Sequence, residues 1–156
     1  MVSTEIKTKI LYEISEIDEL LSKSSVLFQK CMVQEPDYIE LSAVGSTIHS
    51  FYNGLENIFL VIQKNIDKKS SSKERWHSEL LLSMFEENEN RKSVLSLTFK
   101  DTLTDYMGFR HFFRHAYGYH LRWDLAKPLF ENMQEIWNNV KKDILKFVGQ
   151  EDVSEK

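Results

Sequence analysis

The sequence is poor in the residues that punctuate or cross-link a chain: one cysteine, two prolines and five glycines in 156 residues. A lone Cys31 rules out an internal disulfide framework and any multi-cysteine zinc site, and it suits a reducing compartment. So few Gly and Pro leave little material for the tight turns of a many-stranded sandwich or barrel, which points to long helices. No apolar run approaches the ~18 residues of a membrane span, and the first residues, Met1-Val2-Ser3-Thr4-Glu5-Ile6-Lys7, lack a basic segment followed by an apolar one. The expectation is a soluble, cytoplasmic protein with no membrane partner. Basic residues are also in deficit, 20 Lys and Arg against 24 Asp and Glu for a formal charge of −4. That balance argues against indiscriminate binding to nucleic acid, which rests on excess Lys and Arg facing phosphates. The length fits one domain, able to bury about two thirds of its unfolded surface without staples. Residues 1–150 are read as that domain and residues 151–156 as a disordered tail.

What the chain does have is helical periodicity. From Thr4 to about Met32, Ile6, Ile10, Ile14, Ile17, Leu20 and Leu21 recur at three- and four-residue spacing with charged residues between them, the mark of one amphipathic helix. Pro36-Asp37 ends it. A second helix carries Leu41, Val44, Ile48, Phe51, Tyr52, Leu55, Ile58, Phe59, Ile62 and Ile66; its wide apolar face predicts a central position. The segment from Asp67 to Lys73 reads as an exposed loop. Trp76, Leu80, Leu81, Met84 and Phe85 make a short helix, and the polar run Glu86–Lys92 reads as solvated. A fourth helix runs from about Ser93 to Tyr117, with Gly118 as its stop. In the last helix Asp124 serves as cap and Pro128 occupies the first turn, and Leu129, Met133, Ile136, Trp137, Val140, Ile144 and Phe147 continue it. The fold class is therefore all-α, a bundle of four main helices plus a short extra one.

The segment Tyr106–Trp123 is the exception to the acidic total: three of the five histidines, three arginines and no acid fall within it. Arg forks onto phosphate oxygens, His moves protons near neutral pH, and aromatic rings offer stacking faces to bases. RNA is a partner of that description. His111 and His115 also stand at the i, i+4 spacing that can chelate zinc, with His120 as a third ligand; no carboxylate or cysteine follows to complete the set and the arginines repel a cation, so no metal and no cofactor is expected. Phe109, Phe112 and Phe113 read as packing residues, as do His49 and the Trp76-His77 pair.

Within this segment, Arg110-His111-Phe112-Phe113-Arg114-His115-Ala116-Tyr117 resembles the motif of HEPN domains, an Arg followed after four to six residues by His. The sequence is similar in particular to the HepT-like toxins encoded beside minimal nucleotidyltransferase (MNT) antitoxins, whose motif extends to Arg-x4-His-x-Tyr. The resemblance covers roughly the second helix to the end, and its specific part is the eight-residue motif. It implies a HEPN-like helical bundle and a metal-independent endoribonuclease acting as a homodimer, with a larger hetero-oligomer containing the antitoxin as a further option. By position it makes Arg110 the residue on the scissile phosphate, His115 the one that moves the proton, and Tyr117 the tyrosine the antitoxin modifies with adenylyl groups (AMPylation). Arg114 and His111 become supporting residues, His111 standing where the family often has Asn, and Glu56 becomes a carboxylate from an earlier helix that orients an Arg or His or else a solvated side chain. A non-catalytic HEPN module binding a nucleotide or a protein partner is the alternative.

Helix geometry constrains this reading. At about 100° per residue, Arg110 and Arg114 share a face, as do His111 and His115, whereas Arg110 and His115 lie roughly 140° apart. Either the helix unwinds before Gly118 or a second copy completes the site. A second register, Arg114 with His120, satisfies the looser HEPN spacing but does not place Tyr117.

Overall fold

A computed structural model of the chain describes residues 2–70 and 75–149, and among these every regular element is helical. Seven α-helices follow in order: α1 (Thr4–Lys23), α2 (Ser25–Val33), α3 (Tyr38–Ile62), α4 (Trp76–Ser83), α5 (Lys100–His115), α6 (Trp123–Glu131) and α7 (Met133–Phe147). The all-α expectation is met, with two of the expected helices each divided in two. The disordered tail expected at 151–156, and the part of the expected loop from Ser71 to Lys73, lie outside the described residues.

The divisions have local causes. At Ser24 the backbone turns out of the helical well to φ −89°, ψ −2° while its hydroxyl donates to the Leu20 carbonyl at 2.8 Å, and α1 and α2 are separate rather than one helix to Met32. Asn132 does the same later in the chain: its Nδ2 donates to the Pro128 carbonyl at 2.8 Å. Pro128 lies within α6 rather than in a first turn, and its missing N–H weakens the ladder just before the break. The Asp124 carboxylate does not cap α6; it accepts from Arg122 Nε and Nη2 at 3.1 and 2.7 Å. By contrast Pro36-Asp37 acts as read. Asp37 Oδ1 accepts from the Glu40 N–H at 2.8 Å and Glu40 Oε1 from the Asp37 N–H at 3.1 Å, a reciprocal cap that starts α3.

α3 is the axis of the bundle, in contact with α1, α4, α5 and α6. Val44, Ile48, Phe51, Tyr52, Leu55, Ile58, Phe59 and Ile62 are fully buried on it, which removes their apolar surface from water at roughly 25 cal/mol per Å². Close approach is set by Gly54, where a Cβ would stand 2.6 Å from Ile17 Cγ1 of α1, and by Gly45, where it would stand 2.7 Å from the Phe113 ring of α5. α7 is tied to α1 through Asp18, which accepts from Trp137 Nε1 at 2.7 Å and pairs with Lys141 at 2.8 Å.

The polar run after α4 is not wholly solvated. Arg91 is buried beside Asp67, at the end of a wide helical turn (Gln63–Asp67) that closes α3. Its five donors are all spent: Nε and Nη2 on the Asp67 carboxylate at 2.7 and 2.9 Å, Nη2 also on Ser83 O, and Nη1 on Glu86 O and Lys92 O. This knot fixes the connection from α4 to α5, and with it the register of α5 against α3. Removing one partner strands the other charge in the interior, so Arg91→Ala should cost about 3–5 kcal/mol in urea unfolding. Adding Asp67→Asn to that variant should cost far less than Asp67→Asn costs in wild type; equal costs would mean the pair does not act as a unit.

Candidate active site

α5 presents the motif in two layers. Arg110 points inward and is buried, whereas His111, Arg114 and His115 are exposed. His111 and His115 share a face as expected, their rings 4.5 Å apart. α5 stays helical through His115 and ends there, with Ala116 extended at φ −104°, ψ 152°. The chain therefore leaves the helix too late to swing His115 towards Arg110. Gly118 is not the stop; it opens a short 3-10 turn, Gly118–His120. Tyr117 lies just beyond the helix, 73% exposed, stacked on Tyr119 with ring centroids 5.6 Å apart. His120 packs against the Tyr119 ring.

Around Arg110 the structure assembles residues from two other helices. Its Nε donates to Asn53 Oδ1 at 2.5 Å and stands 3.4 Å from Glu56 Oε1. Neither Nη donates a hydrogen bond to another described residue. Glu56, only 3% exposed, is not a solvated glutamate: its Oε2 accepts from His77 Nδ1 at 2.6 Å. The planar guanidinium is thus held along its Nε edge. His111, His115 and their neighbours form no group of three His, Cys, Asp or Glu that could hold a metal ion among the described residues.

Two further groups on α3 are shaped by this charge cluster. His49 lies with its Nδ1 3.5 Å from Asn53 Nδ2, its ring against Phe113, and its buried Nε2 without a hydrogen bond among the described residues. Burial first, then the charges of Arg110 and Arg114, push its pKa below the usual 6.5, so it is held neutral. Tyr52 is fully buried with its hydroxyl unpaired among the described residues. Burial, and secondarily the nearby Glu56 carboxylate, raise its pKa far above the normal range.

A family model described as HepT-like protein matches residues 43–150, more than two thirds of the chain and all of the site from Val44 onward. The chain belongs to the HepT-like family. Its helical bundle is accordingly the HEPN arrangement, with the Arg-x4-His-x-Tyr segment of this HepT-like protein at the end of α5. No curated protein and no solved structure matches the chain. No helix is long and apolar enough to cross a membrane among the described residues.

Sequence reasoning found Arg110, Glu56 and the exposed motif residues of this HepT-like protein but missed Asn53 and His77. A signal for Asn53 exists: His49, Tyr52, Asn53 and Glu56 fall at i, i+3, i+4 and i+7, one stripe of polar atoms along an otherwise apolar helix. His77 has no local signal, because only the packing of α4 on α3 brings it there.

Two outcomes follow for stability. The unfolded chain binds a proton at His49 more readily than the native one, so this group's contribution is intact above pH 6.5 and is lost as the pH falls below it. His49→Phe should flatten the fall in unfolding free energy that wild type undergoes over that interval, as followed by denaturant titration at several pH values. Tyr52→Phe removes a buried hydroxyl that has no partner, so it should leave the midpoint unchanged or raise stability by about 1 kcal/mol. A loss of that size would reveal a hydrogen bond to Tyr52 in solution.

Proposed function

We propose that this HepT-like protein is the toxin of a toxin–antitoxin system, a single HEPN domain over residues 1–150 that cleaves RNA as a metal-independent endoribonuclease. The observation that carries the reading is the division of labour on one unbroken helix. Arg110 is clamped from behind by Asn53 and Glu56 with its Nη fork unpaired among the described residues, while His115 faces outward five residues later. A phosphate on Arg110 cannot be served by His115 of the same helix at roughly 140° separation, but a second copy can supply it. Support for a second copy comes from the exposed face of α5 itself. At Gly108 there is open space, with no atom within 4 Å of where a Cβ would stand, which permits backbone approach. Beside it, Phe112 and Leu125 are exposed around an apolar cavity of about 410 Å³ between α5 and α6.

The chemistry needs no more than these groups. The ribose 2′-OH attacks the adjacent phosphorus, its proton passing to a base; the P–O5′ bond breaks, and the 5′ oxygen takes up a proton. His115 serves as proton carrier and the Arg110 fork stabilises charge on the non-bridging oxygens. The products are a 2′,3′-cyclic phosphate and a 5′-hydroxyl. Arg114, one turn beyond Arg110, adds positive charge at the rim, and His111, its ring 4.5 Å from that of His115, adds a second imidazole there. Tyr117, at the helix end and open to solvent, is the residue an MNT nucleotidyltransferase antitoxin would adenylylate. The adduct places bulk and negative charge where RNA phosphate sits, and so blocks it.

The test is cleavage of RNA by the purified chain. Arg110→Ala and His115→Ala should each lose at least about 10²-fold in rate, and chelators should leave wild type unaffected. Mixing the two inactive variants should restore roughly a quarter of the wild-type rate, since half of the random dimers then hold one intact composite site. No restoration would place both residues in one protomer. Intact RNA with wild type would favour the alternative, a non-catalytic HEPN module that binds a nucleotide or a protein partner. Adenylyl adducts on Tyr117 after co-expression with the antitoxin, read by mass spectrometry, test the control step.

A further inference from the structure

We propose that His77 is a positioning residue, which fixes the Glu56 carboxylate and through it aims the Arg110 guanidinium. Glu56 sits at 3% exposure on the central helix, where an ionised carboxylate is tolerated only if its oxygens are satisfied. Its two oxygens have different partners. Oε2 receives a short, direct bond from His77 Nδ1 at 2.6 Å, whereas Oε1 stands at a looser 3.4 Å from Arg110 Nε. Because Arg110 Nε gives its close hydrogen bond to Asn53, the guanidinium does not by itself hold the carboxylate in place. The His77 bond does. With Oε2 tethered to α4, Oε1 is directed at Arg110; without the tether the carboxylate is free to turn about its terminal bonds.

His77 is itself pinned. The Trp76 ring lies on it with centroids 3.5 Å apart, tilted by 30°, and its side chain is 28% exposed, so its outer edge reaches solvent while Nδ1 faces inward. The carboxylate accepts, so the Nδ1 proton is on the imidazole. The resulting chain runs from the surface through His77, Glu56 and Arg110, across α4, α3 and α5. It is the arrangement by which an outer partner fixes a functional group that it does not touch.

The orientation of Arg110 does not depend on what the site does, whereas its effect on rate rests on the ribonuclease reading, and two measurements separate them. The first is the NMR signal of the Arg110 Nε–H in the full chain without RNA. His77→Phe keeps the ring and its stacking on Trp76 but removes the donor; the signal should shift and broaden. His77→Asn loses the ring but places an amide N–H close to the Nδ1 position; the signal should stay near wild type. A role in packing alone predicts the reverse order, and an unchanged signal in His77→Phe overturns the proposal. Should His77→Phe fail to fold, His77→Gln, whose amide lies one methylene too far, takes its place with the same expected shift. The second measurement is RNA cleavage: His77→Phe should lower kcat by roughly 10–100-fold, as loss of an outer partner does, with a smaller change in KM, and His77→Asn should recover most of it. Equal impairment of both variants overturns the proposal. If wild type leaves RNA intact, the ribonuclease reading fails, and the NMR comparison alone decides whether His77 positions Arg110.

Discussion

A carboxylate sits on the buried face of the central helix, 3% exposed, and much of the site is arranged around giving its oxygens partners there. A buried polar group without them costs several kcal/mol. Glu56 recruits a guanidinium from α5 and an imidazole from α4, so the packing of three helices is linked to the satisfaction of one carboxylate. Arg110 gains reciprocally, since a buried cation would be equally costly, and Asn53 accepts from the donor on its inner edge. The result is a guanidinium held by side chains of α3 on its Nε edge. A second charged knot, Asp67 with Arg91, secures the loop between α4 and α5 and so holds α4 and α5 in the alignment that the first cluster requires.

Periodicity made the helices legible because burial on one face leaves an imprint at every third or fourth residue. The centrality of α3 could be read from the width of its apolar stripe alone. The breaks at Ser24 and Asn132 escaped that reading because each is a turn of one residue's backbone, at φ −89° and −92° with ψ −2°, which leaves the apolar spacing intact. Arg91 escaped for a different reason. Composition around it is polar, and only the three-dimensional return of the loop to Asp67 buries it. The motif residues were legible through their spacing, and the roughly 140° between Arg110 and His115 anticipated the two layers seen on α5. His77 was not legible, being 21 residues from Glu56 along the chain and adjacent to a tryptophan that accounts for its neighbourhood without it.

The charge distribution also takes on a local meaning. Acids are spread along the chain, Asp101 and Asp105 at the start of α5 included, whereas the stretch from Tyr106 to His115 at the other end of α5 holds Arg110, His111, Arg114 and His115 and no acid. The Glu56 carboxylate approaches from beneath the surface, 3.4 Å from Arg110 Nε. It steadies that cation while Arg114, His111 and His115 face outward.

The backbone at Tyr117 is extended, φ −67° and ψ 145°, one residue beyond Ala116, whose N–H makes the last bond of the α5 ladder, to Phe112 O. Because the residue takes no part in the α5 ladder and its ring touches little besides Tyr119, a group attached to its hydroxyl would meet water rather than protein. Chemical change at this position can therefore be decoupled from folding: the bundle could carry an adduct, lose it and carry it again without passing through an unfolded state. That separation makes a covalent mark at this site usable as a reversible setting on a finished protein.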